Sequence, residues 1–276
     1  MAQWRPSAPL PHSHTTFSKE HSTMQLSEQW VLVTGGARGL GQSITRALAR
    51  EGAGVVINYL HSDAAAQALA EELGPRALAL QADVTDAAAV QRLFAQARER
   101  TGQPISAVVN NALAQFRFDG DARPQIGDIT WQRFAQQLEG AVKGALNTTQ
   151  AALPAMREQG FGRIVNVGTN LFQNPVVPYH DYTAAKAALL SFTRTAANDL
   201  GQHGITVNMV SGGLLRTTDA SSATPEAVFD LIASMTPLRR VTTPQEFADA
   251  VLFFLSPWAR AVTGQNLIVD CGLVKG

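Results

Sequence analysis

Short runs rich in valine and isoleucine alternate with alanine-rich segments along nearly the whole chain. Strands are predicted at residues 30–34, 54–59, 77–81, 107–110, 163–167, 206–210 and 266–270, each a short β-branched or apolar stretch. Helices are predicted at 40–50, 63–73, 86–100, 129–157 and 181–200, where apolar residues recur at helical spacing. Asp63 and Asp86 read as N-caps, and Thr224-Pro225 and Thr243-Pro244 place a cap before a proline at the first helical position. Gly74 and Gly201 read as helix stops. Such alternation implies a parallel sheet with helices on both faces, because every parallel connection must cross back over the sheet. No internal repeat or interior linker interrupts the pattern. The expectation is a single doubly wound α/β domain with a seven-stranded parallel sheet.

The 276 residues suffice for a full core, and 45% hydrophobic with 16% charged residues fits a well-packed globular chain. Lys+Arg and Asp+Glu both number 22, so no net charge draws the chain to nucleic acid or to an anionic membrane. A single cysteine, Cys271, excludes an internal disulfide and a cysteine-rich metal site, and points to a reducing, cytoplasmic setting. No apolar run approaches membrane-spanning length. Residues 1–27 are expected as a flexible tail without a signal-peptide core, followed by one catalytic domain over 28–276. Met24, just before the first strand, offers an alternative start for the functional protein. His12 and His14 read as solvated tail residues and not as a metal site, and no other metal site is expected.

The first strand runs into Thr34-Gly35-Gly36-Ala37-Arg38-Gly39-Leu40-Gly41 and then a helix. Glycines there let the backbone turn sharply and let a pyrophosphate approach the amides at the helix N-terminus. An acid at the end of the second strand would bind an adenosine ribose 2′-hydroxyl and repel a 2′-phosphate. This chain instead has Asn58-Tyr59-Leu60-His61-Ser62, and Arg38 can make charge-assisted contacts to a phosphate. NADP(H) is therefore expected over NAD(H). Asp83 reads either as an adenine contact or as the cap of the following turn. Further along, Tyr182 and Lys186 stand four apart, on one face of a predicted helix. A lysine ammonium beside a phenol favours the phenolate, so the pair reads as a general acid/base with a lowered tyrosine pKa.

Together these motifs resemble the short-chain dehydrogenase/reductase family over residues 28–274. Residues 34–41 match its glycine motif, Asp83-Val84 its adenine position, and Asn110-Asn111-Ala112 its fourth-strand motif. Tyr182-x-x-x-Lys186 matches the catalytic pair, and Asn208 with Gly213 resembles the sixth-strand region. Val262-Thr-Gly-Gln265 and Val269-Asp270 match the C-terminal strand region. The resemblance implies a Rossmann-type fold and carbonyl reduction by a nicotinamide cofactor. Tyr182 would act as proton donor, Lys186 would hold the nicotinamide ribose, and Thr169 would stand where the family has a serine. It also implies cofactor contacts from Gly35, Arg38, Gly39, Leu40, Gly41, Asn58, Asp83, Val84, Asn110, Ala112 and Thr217, a lid over about 214–243, and a homotetramer or homodimer. The small residues Gly140, Ala141, Gly144, Ala145 and Ala151 suit either a subunit contact or packing within the chain.

Three departures stand out: Ala141 occupies the position of the family's relay asparagine, Leu113 replaces a glycine, and Gly212 replaces a proline. Leu171, Phe172, Pro175, Val176, Val177, Tyr179, Leu214 and Leu215 form a candidate apolar pocket for an aliphatic or acyl ketone, such as a 3-oxoacyl thioester. The entrance arginines with which fatty-acid-synthesis members dock an acidic carrier are His203 and Gly160 here, leaving Arg157 and Arg163 as loose substitutes. Two other readings stay open. Tyr179, seven residues before Lys186, has the Tyr-x₆-Lys spacing of enoyl-thioester reductases. A non-catalytic NADP(H)-binding sensor or scaffold would also tolerate Ala141, Leu113 and Thr169.

Overall fold

The computed structural model describes residues 23–113, 123–216, 218 and 221–275. Its seven parallel strands are β1 (Trp30–Val33), β2 (Gly54–Tyr59), β3 (Ala77–Gln81), β4 (Ala107–Asn110), β5 (Gly162–Thr169), β6 (Ile205–Gly212) and β7 (Asn266–Val269). They lie in the order β3-β2-β1-β4-β5-β6-β7. The chain builds outward from β1 to β3, then returns to the other side of β1 to lay down β4. That reversal opens a crevice beyond the C-terminal ends of β1 and β4, where doubly wound sheets bind ligands.

The helices are α1 (Gly39–Arg50), α2 (Asp63–Leu73), α3 (Ala87–Thr101), α4 (Trp131–Leu138), α5 (Gly144–Gln159), α6 (His180–Leu200), α7 (Glu226–Met235) and α8 (Pro244–Leu255). Strand alternation divides the core. Val31, Val33, Val55 and Ile57 share one cluster with Ile44 and Leu48 of α1 and with Phe247 and Val251 of α8. Leu32 and Val56 face the other way, among Leu93 of α3, Met156 of α5 and Leu200 of α6. β1, β2, β4, β5 and β6 are buried along their full length, which is why they read as continuous apolar runs. Gln29, wholly buried just before β1, donates its side-chain amide to the carbonyl of Leu255 at 2.9 Å, tying the start of the sheet to the end of α8.

Several boundaries differ from the sequence reading, each for a local reason. β5 and β6 extend past Val167 and Val210 because Gly168 pairs with Ser211 and Thr169 with Gly212, side chains too small or polar to count as apolar. The long helix expected over 129–157 is split by a π-helical turn, Glu139–Lys143, between α4 and α5. Asp63 is not the N-cap of α2; Ser62 holds that position, and Asp63 accepts from the Tyr59 hydroxyl instead. Pro225, not Thr224, is the N-cap of α7. Gly201 stays right-handed and leads into a 3-10 turn, and the left-handed stop falls on Gly204 at φ +73°. Asp86 and Thr243 cap as expected, the latter in a reciprocal box with Glu246. The 3-10 turn Leu26–Glu28 lies inside the stretch expected as tail, and the part of that tail before residue 23, with His12 and His14, lies outside the described residues. Among the described residues, no helix is long and apolar enough to cross a membrane.

Phe247 is wholly buried and its ring packs where a side chain on Gly212 would lie. Replacing Phe247 with alanine is expected to lower unfolding free energy by about 3–5 kcal/mol, read from urea denaturation.

Candidate active site

The crevice begins with a staple between two strand ends. The Thr34 hydroxyl accepts the N–H groups of Asn111 and Ala112, each at 2.9 Å, while the Asn111 side-chain amide donates to the Thr34 carbonyl at 2.9 Å and the Gly35 carbonyl at 3.3 Å. Gly35 has φ +62°, and a Cβ there would stand 3.2 Å from the Ala112 Cα. A Cβ on Gly41 would fall onto the Gly35 carbonyl oxygen, so α1 approaches the turn as closely as backbone allows. This glycine cradle brings the N-terminus of α1 against the turn that follows β1, and a helix N-terminus is a fitting seat for a pyrophosphate. Arg38 is exposed at the N-cap of α1, and Leu40 packs against the core beneath it.

Asn58 is buried and braces the loop. Its side-chain amide donates to the Ala82 carbonyl at 3.0 Å, and its carbonyl oxygens accept from Gly35 and Gly36. Asp83 caps the turn before α3, one carboxylate oxygen accepting both the N–H and the hydroxyl of Thr85 at 2.8 Å. The Val84 carbonyl accepts from Asn147 at 2.8 Å. Asn110 sits in a buried relay of side chains: Thr148 donates to it at 2.6 Å, it donates to Asn166 at 2.8 Å, and Asn166 donates to Thr193 of α6 at 2.8 Å. Asn166 and Thr148 carry no motif that distinguishes them from other polar residues in apolar surroundings, and Asn147, six residues beyond Ala141, is expected on a different face of the helix from that position.

Tyr182 and Lys186 lie on the first turns of α6, and Thr169 ends β5 beside them. The Thr169 hydroxyl hydrogen-bonds to the Tyr182 phenol and also accepts the N–H of Leu171 at 3.3 Å. Lys186 is 2% exposed, its ammonium lying 5.8 Å from the Tyr182 ring centroid and donating to the Val167 carbonyl at 2.6 Å. The expected lowering of the tyrosine pKa is not found here. Burial pushes Tyr182 up to about 12, against a downward pull from the Thr169 bond, and burial pushes Lys186 down to about 8. Desolvation penalises the charged form of each group and is the largest cause of both shifts.

Ala141 lies in the π-helical turn and lines a cavity of about 10 Å³ bounded also by Lys186, Asn110 and Gly144. The small residues of this helix pack within the chain: Gly140, Ala141, Gly144 and Ala145 are buried, and a Cβ on Gly144 would touch Val84. Tyr179 is buried with its ring edge-on to Tyr182, centroids 6.1 Å apart, and the Arg123 guanidinium lies over the Tyr179 ring as a cation–π partner. Neither Arg123 nor the Arg133–Asp181 ion pair at 3.5 Å was foreseen, since both bring together residues distant in sequence without a motif. Of the expected pocket, Leu215 and Phe172 are partly buried against the core clusters, whereas Val176 is exposed; Leu113, which replaces a glycine, also stands at the surface. Thr217 lies outside the described residues.

A glycine cradle thus lies at the switch point, with a buried Tyr–Lys pair and a hydroxyl at the neighbouring strand end. The family described as enoyl-(acyl carrier protein) reductase matches residues 35–274. A 3-oxoacyl-[acyl-carrier-protein] reductase of Synechocystis is 34% identical, covering 90% of this chain and 98% of its own. A (3R)-3-hydroxyacyl-CoA dehydrogenase of the dog is 33% identical over 91% and 98%, and a 3-oxoacyl-[acyl-carrier-protein] reductase FabG of Staphylococcus aureus is 32% identical over 88% and 96%. The chain belongs to the short-chain dehydrogenase/reductase family.

Two outcomes follow from this geometry. Gly41→Ala is expected to destabilise the protein by about 1–3 kcal/mol, because the methyl group must displace the Gly35 carbonyl; thermal and urea melts measure it. Lys186, whose folded pKa lies below its unfolded value, costs stability while protonated in its buried setting. That cost is full below pH 8 and is relieved as pH rises from about 8 toward the ordinary lysine value. Lys186→Met is accordingly expected to raise the melting temperature at pH 7, with the gain shrinking by pH 10.

Proposed function

We propose that the chain interconverts a ketone and a secondary alcohol with NADP(H), the carbonyl substrate being a 3-oxoacyl thioester or another apolar ketone. The hydrogen-bonded Thr169–Tyr182 pair, close to Lys186, whose side chain lines one cavity with Thr34, Asn110 and Ala112 at the strand ends, carries this reading. A bound nicotinamide would supply the hydride. The cradle residues Gly35, Gly39, Leu40 and Gly41 would seat the pyrophosphate, with Asn58 bracing the loop, and Arg38 would meet a 2′-phosphate. Asp83, Val84, Asn110, Ala112 and Thr217 would flank the adenine and nicotinamide ends. Tyr182, protonated throughout the neutral range, would give its proton to the oxygen that gains charge, while Thr169 donates a second hydrogen bond to it. Lys186 would hold ribose hydroxyls and favour the phenolate left behind. Ala141 offers no side-chain relay, and the adjoining cavity is close to the size needed for a single water to pass the proton on.

The names of the relatives support a thioester substrate, carried either on a protein or on coenzyme A. Arg163 does not suit carrier docking. It is 4% exposed, its guanidinium donates to the Gly162 and Gly204 carbonyls, and burial lowers its pKa to about 10. A coenzyme A thioester or a free ketone is the reading favoured here.

The second reading, enoyl reduction through Tyr179, draws on the matching family's description and on the packing of Tyr179 against Tyr182. A panel of ketones, 3-oxoacyl and enoyl thioesters with NADPH and NADH separates the readings. Tyr182→Phe is expected to reduce ketone turnover by on the order of 10²–10⁴-fold, with Tyr179→Phe close to the native rate. Enoyl turnover lost in Tyr179→Phe would favour the second reading, and tight cofactor binding with no turnover of any substrate would favour a sensor. Arg38→Ala is expected to weaken NADPH binding by about 10-fold or more while leaving NADH binding nearly unchanged, as measured by calorimetry. Alcohol oxidation, which needs the phenolate, is expected to rise steadily with pH through the alkaline range.

A further inference from the structure

The end of β7 reaches across the sheet to the residue that follows Thr169. Asp270 is 6% exposed, and among the described residues no cation pairs with it. Its carboxylate accepts three N–H groups: Gly272 at 3.0 Å, Val274 at 3.0 Å, and the side-chain amide of Asn170 at 2.9 Å. Asn170 is itself 3% exposed and opens the 3-10 turn Asn170–Phe172. The N–H of Leu171, inside that turn, is the donor that the Thr169 hydroxyl accepts. Gly213 closes the arrangement, since a Cβ there would stand 2.9 Å from the Asn170 amide and 3.1 Å from the Asp270 Cβ.

We propose that Asp270 is a positioning residue, fixing the Thr169 hydroxyl through Asn170 and the turn that Asn170 opens. A threonine hydroxyl can swing between rotamers, and an acceptor bond from Leu171 selects the one that leaves its hydrogen free to donate. That bond lasts only while the turn is held, and the Asn170–Asp270 bond is the tie, buried and 100 residues apart in sequence, that holds it to the sheet. A buried carboxylate bonded only by N–H donors is costly to remove from its partners, which makes the anchor stiff. The catalytic consequence rests on the ketone–alcohol reading above; the conformational one does not.

The test uses the full chain with ¹³C-methyl-labelled threonine, the Thr169 methyl resonance being assigned by its loss in Thr169→Ser. Three-bond couplings report the Thr169 rotamer. A single rotamer is expected in the native protein and averaging among rotamers in Asn170→Ala, a change that leaves the Asp270 bonds to Gly272 and Val274 in place. Asp270→Asn attacks the same link from the other side should one variant fold poorly. Reduction of acetoacetyl-coenzyme A by NADPH then reads the effect on chemistry. A kcat loss on the order of 10–10²-fold with KM for NADPH unchanged is expected, and no further loss when the same change is made in Thr169→Ala. An unchanged, single Thr169 rotamer in Asn170→Ala overturns the proposal, as does a full additional kcat loss in the Thr169→Ala background. A native chain that reduces no ketone would defeat the functional reading alone, since the methyl couplings still decide the positioning.

Discussion

Two N–H groups from the end of β4 converge on the hydroxyl of Thr34, and one side-chain amide returns from Asn111 to the Thr34 carbonyl. These bonds hold the β1 and β4 ends at the separation at which α1 can begin. Each contributes about 1 kcal/mol net, but leaving buried N–H groups unmet would cost more than that, so the staple acts chiefly by excluding other arrangements. The close contact of Gly41 with Gly35, the positive φ of Gly35 and the seat of Asn58 all follow from where those two strand ends stand. A parallel sheet supplies the strand ends; the staple turns them into a site.

Burial then sets the chemistry at the other wall of the crevice. Tyr182 and Lys186 share a face of α6, and proximity alone would have the ammonium stabilise the phenolate. The surroundings oppose it, since burial penalises the charged form of each group. Lys186 turns its hydrogens to the Val167 carbonyl, and Tyr182 keeps its proton with the Thr169 hydroxyl as neighbour. A neutral phenol is the form that can donate. The same desolvation makes the site a local weakness in stability, which fits the general finding that functional groups sit where folding alone would not place them.

Much of this was legible in the sequence, and the limits were physical. The succession of β1–β7 along the chain, the glycine turn and the Tyr182–Lys186 spacing could be read because each rests on a local pattern: a short β-branched run, a turn that needs glycine, or one helical turn. Strand ends at Thr169 and Gly212 could not, because pairing with a neighbour rather than apolar character carries β5 and β6 onward. The π-helical turn at Glu139–Lys143 was also hidden, since its residues continue the helical periodicity on both sides. The direction of the Tyr182 shift was misjudged because spacing reports which groups are near, whereas the pKa depends on how much water reaches them. Asn58 also braces the loop, its amide directed to the Ala82 carbonyl, a bond that no local pattern announces.

The bond from Gln29 to the Leu255 carbonyl spans 226 residues, and α8, which ends there, packs its Phe247 and Val251 onto the same side of the sheet as α1. A chain emerging from a ribosome therefore leaves the α1 side of β1 without its second covering helix until almost all of it has been made. During that interval Val31, Val33 and Ile44 lack the helix that covers them, so early products of synthesis present an open apolar face. Chaperone capture or aggregation should consequently depend on how quickly residues 244–255 follow, which gives the last quarter of the message a direct bearing on yield.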